Sequence, residues 1–289
     1  MKTVSIIADS TCDLSKELLE KYHITTLSLH VHLGDKEYLD GVDITPEEIY
    51  RWSDENKATP KTSAVSPLEA QECLEKQLAQ AREVVCFCIS EQMSTCANVV
   101  NMAARESGVE SRVFVVDSSN LSTGIGLQII EAAIMAERGM TAKQIVDKIL
   151  QIRPRVRASF VVDTLVYLYR GGRCSGLAAM AGSTLKLHPY ISVMDGKMQP
   201  GKKYRGRMEK VICDYVKDLK PALLSACPER VFITHSGCED AIIDEVRKQL
   251  EELHHFDEIL VTRAGSVISS HCGPGTLGVL FIAGENEKE

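Results

Sequence analysis

Val4-Ser5-Ile6-Ile7-Ala8-Asp9-Ser10-Thr11 carries a compact apolar run that ends on an acid and two hydroxyls. A short aliphatic run of this kind suits a buried strand. The polar residues at its end suit the loop where α/β proteins build their sites. Asp13-Leu14-Ser15-Lys16-Glu17 follows with acidic and hydroxyl capping chemistry, so a helix is expected to begin there.

Outward from this unit the pattern repeats. Thr26 to Leu33 alternates as a strand, with a hairpin expected around Gly34-Asp35. Thr45-Pro46-Glu47-Glu48 sets a capping hydroxyl, a proline at the first helical position and carboxylates at the positive helix end. Ser66-Pro67-Leu68-Glu69 uses the same device before a helix reaching about Ala81. Val84 to Ile89 and Arg112 to Val116 read as strands, each leading to a helix. Strand and helix alternating in this way predict a mostly parallel sheet covered by helices.

A helix from about Thr141 leads toward Pro154, and Ala158 to Val162 begins a second series of strands. Pro189 to Val193 and Met198 to Tyr204 read as an antiparallel pair around Asp195-Gly196. Val231 to Thr234, a helix from Glu239 to Leu253 and a strand from Glu258 to Thr262 follow, then two apolar runs that flank His271. The expected fold class is α/β, with one domain over residues 1–155 and a second over 156–285.

Composition narrows the function. The chain has 289 residues, 44% hydrophobic and only 5% aromatic, the profile of an α/β protein with aliphatic packing. A formal net charge of −7 argues against nucleic acid as a partner, since phosphate neutralisation needs a basic face. The apolar N-terminal run is too short for a signal peptide, and no segment has the length of a membrane span. The ten cysteines therefore read as reduced thiols of a cytoplasmic protein. Their spacings fit no zinc site, and Cys86-Phe87-Cys88 lacks the two intervening residues of a redox pair, so no metal is expected. Gly124-Ile125-Gly126 lacks the last glycine of a dinucleotide fingerprint, and neither a phosphate-loop motif nor a Gly-x-Ser-x-Gly elbow is present. No cofactor is expected.

The chemistry gathers at a few polar strand ends. Ser266-Val267-Ile268-Ser269-Ser270 reads as a buried strand that delivers His271 into the loop Cys272-Gly273-Pro274-Gly275-Thr276. An imidazole beside bare backbone amides suits an anion. Asp9-Ser10-Thr11, Ser90 to Thr95, Asp117-Ser118-Ser119-Asn120, Asp163-Thr164 and Thr59 to Ser63 are further candidates, each also explained by helix capping. A hydrolase built on Ser94, His271 and Asp9 stays open at this level. Arg170-Gly171-Gly172-Arg173 and Lys202-Lys203-Tyr204-Arg205-Gly206-Arg207 are basic concentrations that serve either as solvated turns or as anion and partner contacts.

Taken in order, several of these pieces match one family. Asp9-Ser10-Thr11-Cys12-Asp13-Leu14, Thr62-Ser63, Val116-Asp117-Ser118, Asp163-Thr164-Leu165 with Arg170-Gly171-Gly172-Arg173, His235-Ser236-Gly237 and His271-Cys272-Gly273-Pro274-Gly275 resemble the DegV-family fatty-acid-binding proteins over nearly the whole chain. The resemblance implies two α/β domains, each a central sheet covered by helices, with the ligand in a cleft between them. It implies a non-catalytic carrier that holds one long-chain fatty acid and presents it to a separate ATP-dependent fatty acid kinase for acyl-phosphate formation. It assigns the carboxylate contacts to Thr62, Ser94 and His271, with the amide of Thr95 as a fourth donor, and a partner contact to Arg205. Where the family often reads Thr-Ser-Gln-Pro-Ser-Pro and Leu-Ser-Gly-Thr, this chain has Thr62-Ser63-Ala64-Val65-Ser66-Pro67 and Met93-Ser94-Thr95-Cys96. Leu165, Val193 and Ile268 are candidates for the wall around the acyl tail.

Overall fold

The structure is a computed structural model that describes residues 2–173 and 187–285. Its first sheet is parallel throughout, in the order β2-β1-β6-β7, from β1 (Lys2–Asp9), β2 (Thr25–Leu27), β6 (Ala81–Cys88) and β7 (Val113–Asp117). A small antiparallel sheet, β4-β3-β5, lies apart from it and contains β3 (His30–Leu33), β4 (Lys36–Leu39) and β5 (Lys61–Ser63). The expected single strand over Thr26 to Leu33 is thus two strands in two sheets. The chain turns at Ser28 and Leu29, where the Leu29 N–H donates to Ser10 Oγ at 3.1 Å. Alternation alone does not say which sheet a strand joins.

Capping chemistry sets the helix starts. α1 (Lys16–Lys21) begins at Ser15, not at Asp13, because Asp13 closes a 3₁₀ turn in the left-handed region at φ 51°. Thr45 and Ser66 form reciprocal capping boxes with Glu48 and Glu69 at the heads of α2 (Pro46–Asn56) and α3 (Pro67–Leu78). Thr141 does the same with Gln144 for α6 (Ala142–Ile152). α4 (Cys96–Glu106) links β6 to β7, and α5 (Thr123–Glu137) follows β7.

From Val156 onward the chain builds a six-stranded sheet in the order β10-β9-β8-β13-β11-β12. Its strands are β8 (Val156–Val161), β9 (Leu187–Met194), β10 (Lys197–Arg205), β11 (Ala226–Ser236), β12 (Glu258–Arg263) and β13 (Thr276–Ala283). β9 and β10 form the expected hairpin, with both Asp195 and Gly196 at positive φ. α7 (Val166–Gly171), α8 (Met208–Leu224), α9 (Asp240–Glu251) and α10 (Ser266–Cys272) complete the described elements.

Both faces of this sheet are buried, and strand alternation divides them. Val231, Ile233, Leu277, Val279 and Phe281 pack under α8 and α9, whereas Ala158, Phe160, Phe232, Leu280 and Ile282 join the core of the N-terminal half. α5 lies between the two main sheets, in contact with β1, β8 and β13. That position explains why its first turns are buried all round. Gly124 belongs to the same packing, since a Cβ there would fall 2.0 Å from Asn120 Oδ1. Polar ties also cross the join: Thr123 Oγ1 meets Thr234 Oγ1 at 2.6 Å, and Tyr50 OH meets Ser236 Oγ at 2.5 Å.

One expected element changes type. Ser266 to Ser270 is the body of α10, a helix, and not a strand. A short run of small and β-branched residues carries too few turns to separate the two periods. In the helix, the Ser270 hydroxyl donates to the Ser266 carbonyl at 2.7 Å, and Ser269 to that of Ala264 at 3.3 Å, so buried hydroxyls are satisfied locally.

Candidate functional site

A cavity of about 470 Å³ opens where the two halves meet, within the ~300–1,000 Å³ range of small-molecule sites. Leu29, Thr62, Ile89, Ser94, Thr95 and Leu121 line it from one half, and Arg173, Met198, Val267, Ile268, His271 and Cys272 from the other. Thr62, Ser94, Thr95 and His271, chosen from distant parts of the sequence, therefore line one cavity. A further void of about 30 Å³ shares the walls formed by Leu121, Ile268 and Cys272. Ile268 lines both spaces, whereas Leu165 and Val193 pack in the core and line neither.

Each polar group has a structural reason to be there. Thr62 is the middle residue of β5, paired with Val31. Ser94 and Thr95 form the turn between β6 and α4, and Ser94 Oγ accepts the Cys96 N–H at 3.3 Å. Thr95 takes φ −90°, ψ 8°, a conformation open to any residue, so this turn does not require the family's glycine. The Thr95 amide has no acceptor among the described residues. His271 sits in the last turn of α10, its Nε2 2.8 Å from Thr62 Oγ1.

The other imidazole nitrogen is buried. His271 Nδ1 has no hydrogen-bond partner among the described residues, and this edge of the ring faces Gly171 at the end of α7. A Cβ on Gly171 would stand 2.4 Å from Nδ1, closer than any real contact. Gly171→Ala is therefore expected to turn the ring away from Thr62 and shift the His271 side-chain NMR signals. Signals identical to those of the parent would contradict this packing.

Burial first, and then the positive charge of Arg173, push the His271 imidazole down to about 4. The ring is neutral at pH 7, and the cation beside the cavity is Arg173, whose Nη1 also donates to the Gly171 carbonyl at 2.7 Å. Because an unfolded histidine titrates near 6.5, the unfolded chain binds more protons between pH ~4 and ~6.5. This group's contribution to stability is complete above that window and is lost as pH falls through it. Asp9, pushed up to about 6 by burial, acts in the opposite sense. The readout is therefore a comparison of urea denaturation at pH 7 and pH 5 in the parent and in His271→Gln, which retains Asp9. The parent should lose about 2 kcal/mol more than the variant; equal losses would contradict a neutral buried ring.

A Ser94–His271–Asp9 triad is not assembled. Asp9 is fully buried; Oδ1 accepts from the Thr11 N–H and hydroxyl, and Oδ2 accepts the Ile89 N–H at 2.7 Å. Nothing links it to His271 Nδ1, and Nε2 is engaged by Thr62, so no base is aimed at Ser94. Burial pushes the Cys272 thiol up to about 12, which removes it as a nucleophile as well.

The remaining candidates divide. Asp117 and Thr164 serve their own turns, accepting the N–H groups of Ser119 and Val166. Arg205 is exposed at the end of β10, opposite Leu187, and does not line the cavity. Arg173 does line it; the sequence offered it within a basic turn, as either a solvated residue or an anion contact, and did not name it for the carboxylate site. Its motif was visible; its direction depends on how α7 meets α10.

Comparison with known proteins is consistent across sequence and structure. A family model described as "Uncharacterised protein, DegV family" matches residues 3–284. A DegV domain-containing protein of Deinococcus radiodurans is 33% identical over 279 residues, covering 96% of this chain and 97% of that one. A Thermus thermophilus structure, described as fatty acid binding of a DegV family protein, superposes with a TM-score of 0.89 at 30% identity, covering 98% of this chain and 100% of that one. A stearic acid-binding protein of Eubacterium ventriosum gives a TM-score of 0.84 at 30% identity, covering 97% and 98%.

Proposed function

The chain belongs to the DegV family, and from that premise we propose that it holds one long-chain fatty acid in the cavity between its halves and presents the carboxylate to a separate ATP-dependent kinase. The observation that carries this reading is one cavity whose lining combines the polar groups of Thr62, Ser94, His271 and Arg173 with the apolar side chains of Leu29, Ile89, Leu121, Val267 and Ile268, Glu91 and Ser63 also facing it. The fatty-acid ligands of structural relatives at 30% identity support the same ligand class.

The energetics fit a carrier. Each buried methylene contributes ~0.8 kcal/mol, so about fifteen of them supply roughly 12 kcal/mol before the costs of ordering. A small void of about 30 Å³ lies on the other side of Leu121 and Ile268, so movement of these side chains would lengthen the room for the tail. A desolvated carboxylate without donors would cost several kcal/mol. Neutral His271 meets that cost through Thr62: with Nε2–H donating to Thr62 Oγ1, the threonine hydroxyl is free to donate to the acid. Ser94 Oγ–H and the Thr95 amide are the second and third donors, and Arg173 adds positive charge. On this reading every one of these groups binds and orients, and none forms a bond to the ligand.

Among the described residues no helix is long and apolar enough to cross a membrane. An ATP-dependent partner would place the carrier in the cytoplasm, and exposed Arg205 is the proposed contact with it. Calorimetric titration with a long-chain acid and with its methyl ester tests the ligand assignment. The acid should bind one per chain, and the ester about tenfold or more weakly, having lost the charge-assisted bonds. Equal affinity would overturn it. For the partner, Arg205→Glu should leave acid affinity unchanged and lower acyl-phosphate yield; an unchanged yield would remove Arg205 from that role.

A further inference from the structure

His271 meets Thr62 only if α10 is held at a fixed height against β5, and α10 has just seven residues. A helix leaves its first N–H groups without partners, and here those groups are buried. The Gly265 N–H donates to Asp13 Oδ1 at 2.8 Å, and the Ser266 N–H to Asp40 Oδ1 at 2.6 Å. Both acids come from the opposite half of the chain, 252 and 226 residues away in sequence.

Each carboxylate is itself braced. Ser122 Oγ donates to Asp13 Oδ2 at 2.5 Å, and Ser10 Oγ donates to Asp40 Oδ2 at 2.8 Å while accepting the Leu29 N–H. Asp13 and Asp40 are only 5% and 2% exposed, so both carboxylates are screened from bulk water. Acceptors at this end of a helix also complement its positive pole. Ser122 and Ser10 adjoin Leu121 and lie against Leu29, which both wall the cavity.

We infer that Asp13 and Asp40 are positioning residues for the head-group site: from the N-terminal half they fix the start of α10 and so set the distance between His271 and Thr62. The inference rests on the fatty-acid reading of the cavity. It also gives the Asp9-to-Asp13 stretch a role away from the ligand. Asp9 holds the Ile89 N–H beside the cavity, Ser10 braces Asp40, and Asp13 caps α10.

The test compares alanine and asparagine at both positions, since an amide keeps an acceptor oxygen for the α10 N–H. Two readouts are taken: affinity for a long-chain fatty acid, and the ¹⁵N resonances of the His271 ring in lipid-free protein. Asp13→Ala and Asp40→Ala should move the His271 resonances and weaken binding about tenfold. Asp13→Asn and Asp40→Asn should return both close to the parent. Folded alanine variants with unmoved His271 resonances would overturn the inference. Where an alanine variant does not fold, Ser122→Ala, which removes the hydroxyl that braces Asp13 Oδ2, decides it in the same way. Because the resonances are read without lipid, a parent that binds no fatty acid would sink the ligand assignment while leaving the positioning claim decided by its own signal.

Discussion

Thr62→Val combined with His271→Ala should lower the affinity for a long-chain fatty acid by about a hundredfold or more, leaving a same-length alcohol weakened far less. A hydrogen bond to a charged group contributes ~1.5–3 kcal/mol, and ~1.4 kcal/mol is a tenfold change in affinity. The two residues share one bond at 2.8 Å, so their effects are coupled and the double variant should fall short of the product of the singles. Thr62 lies at a partly exposed strand position and His271 already carries an unpartnered buried nitrogen. Neither change should therefore cost much stability. Calorimetry with acid and alcohol in parallel reads the result. Equal losses for the two ligands would mean that this wall does not recognise the carboxylate.

Ala64→Trp addresses the room the cavity leaves for the tail. Ala64 lines the cavity beside Thr62 and is partly exposed, so an indole there has room to enter the slot without opening the core. Displacing four or five methylenes of tail at ~0.8 kcal/mol each would cost about 3–4 kcal/mol, a loss of at least a hundredfold. An acid of about eight carbons, which fills less of the slot, should lose much less. If long and short acids weaken alike, the tail does not run past Ala64.

What the sequence made legible is mostly local. Aliphatic runs closed by Asp and Ser marked β1, β6 and β7, and capping residues Thr45, Ser66 and Thr141 marked the starts of α2, α3 and α6. Asp195-Gly196 marked a hairpin because both residues must adopt positive φ. Non-local features were not legible. Ser266 to Ser270 is helical because its hydroxyls bond its own backbone and its N-terminus is capped from the far half of the chain. No window of sequence contains those partners. Thr26 to Leu33 splits because Ser10 Oγ captures the Leu29 amide. In the site, Thr62, Ser94, Thr95 and His271 were reached through family resemblance, and spacing alone could not have brought them together. Arg173 stayed between two readings, solvated turn or anion contact, because a basic turn reads the same whether it faces water or a cavity.

The most direct test needs no added ligand. Protein purified from cells under native conditions is weighed intact by native mass spectrometry, then denatured and extracted, and the extract is analysed for lipids. The account predicts about one long-chain fatty acid per chain, released only on denaturation and absent from the Ala64→Trp variant. A parent protein that carries no lipid, and that takes none up when offered a long-chain acid, would contradict it.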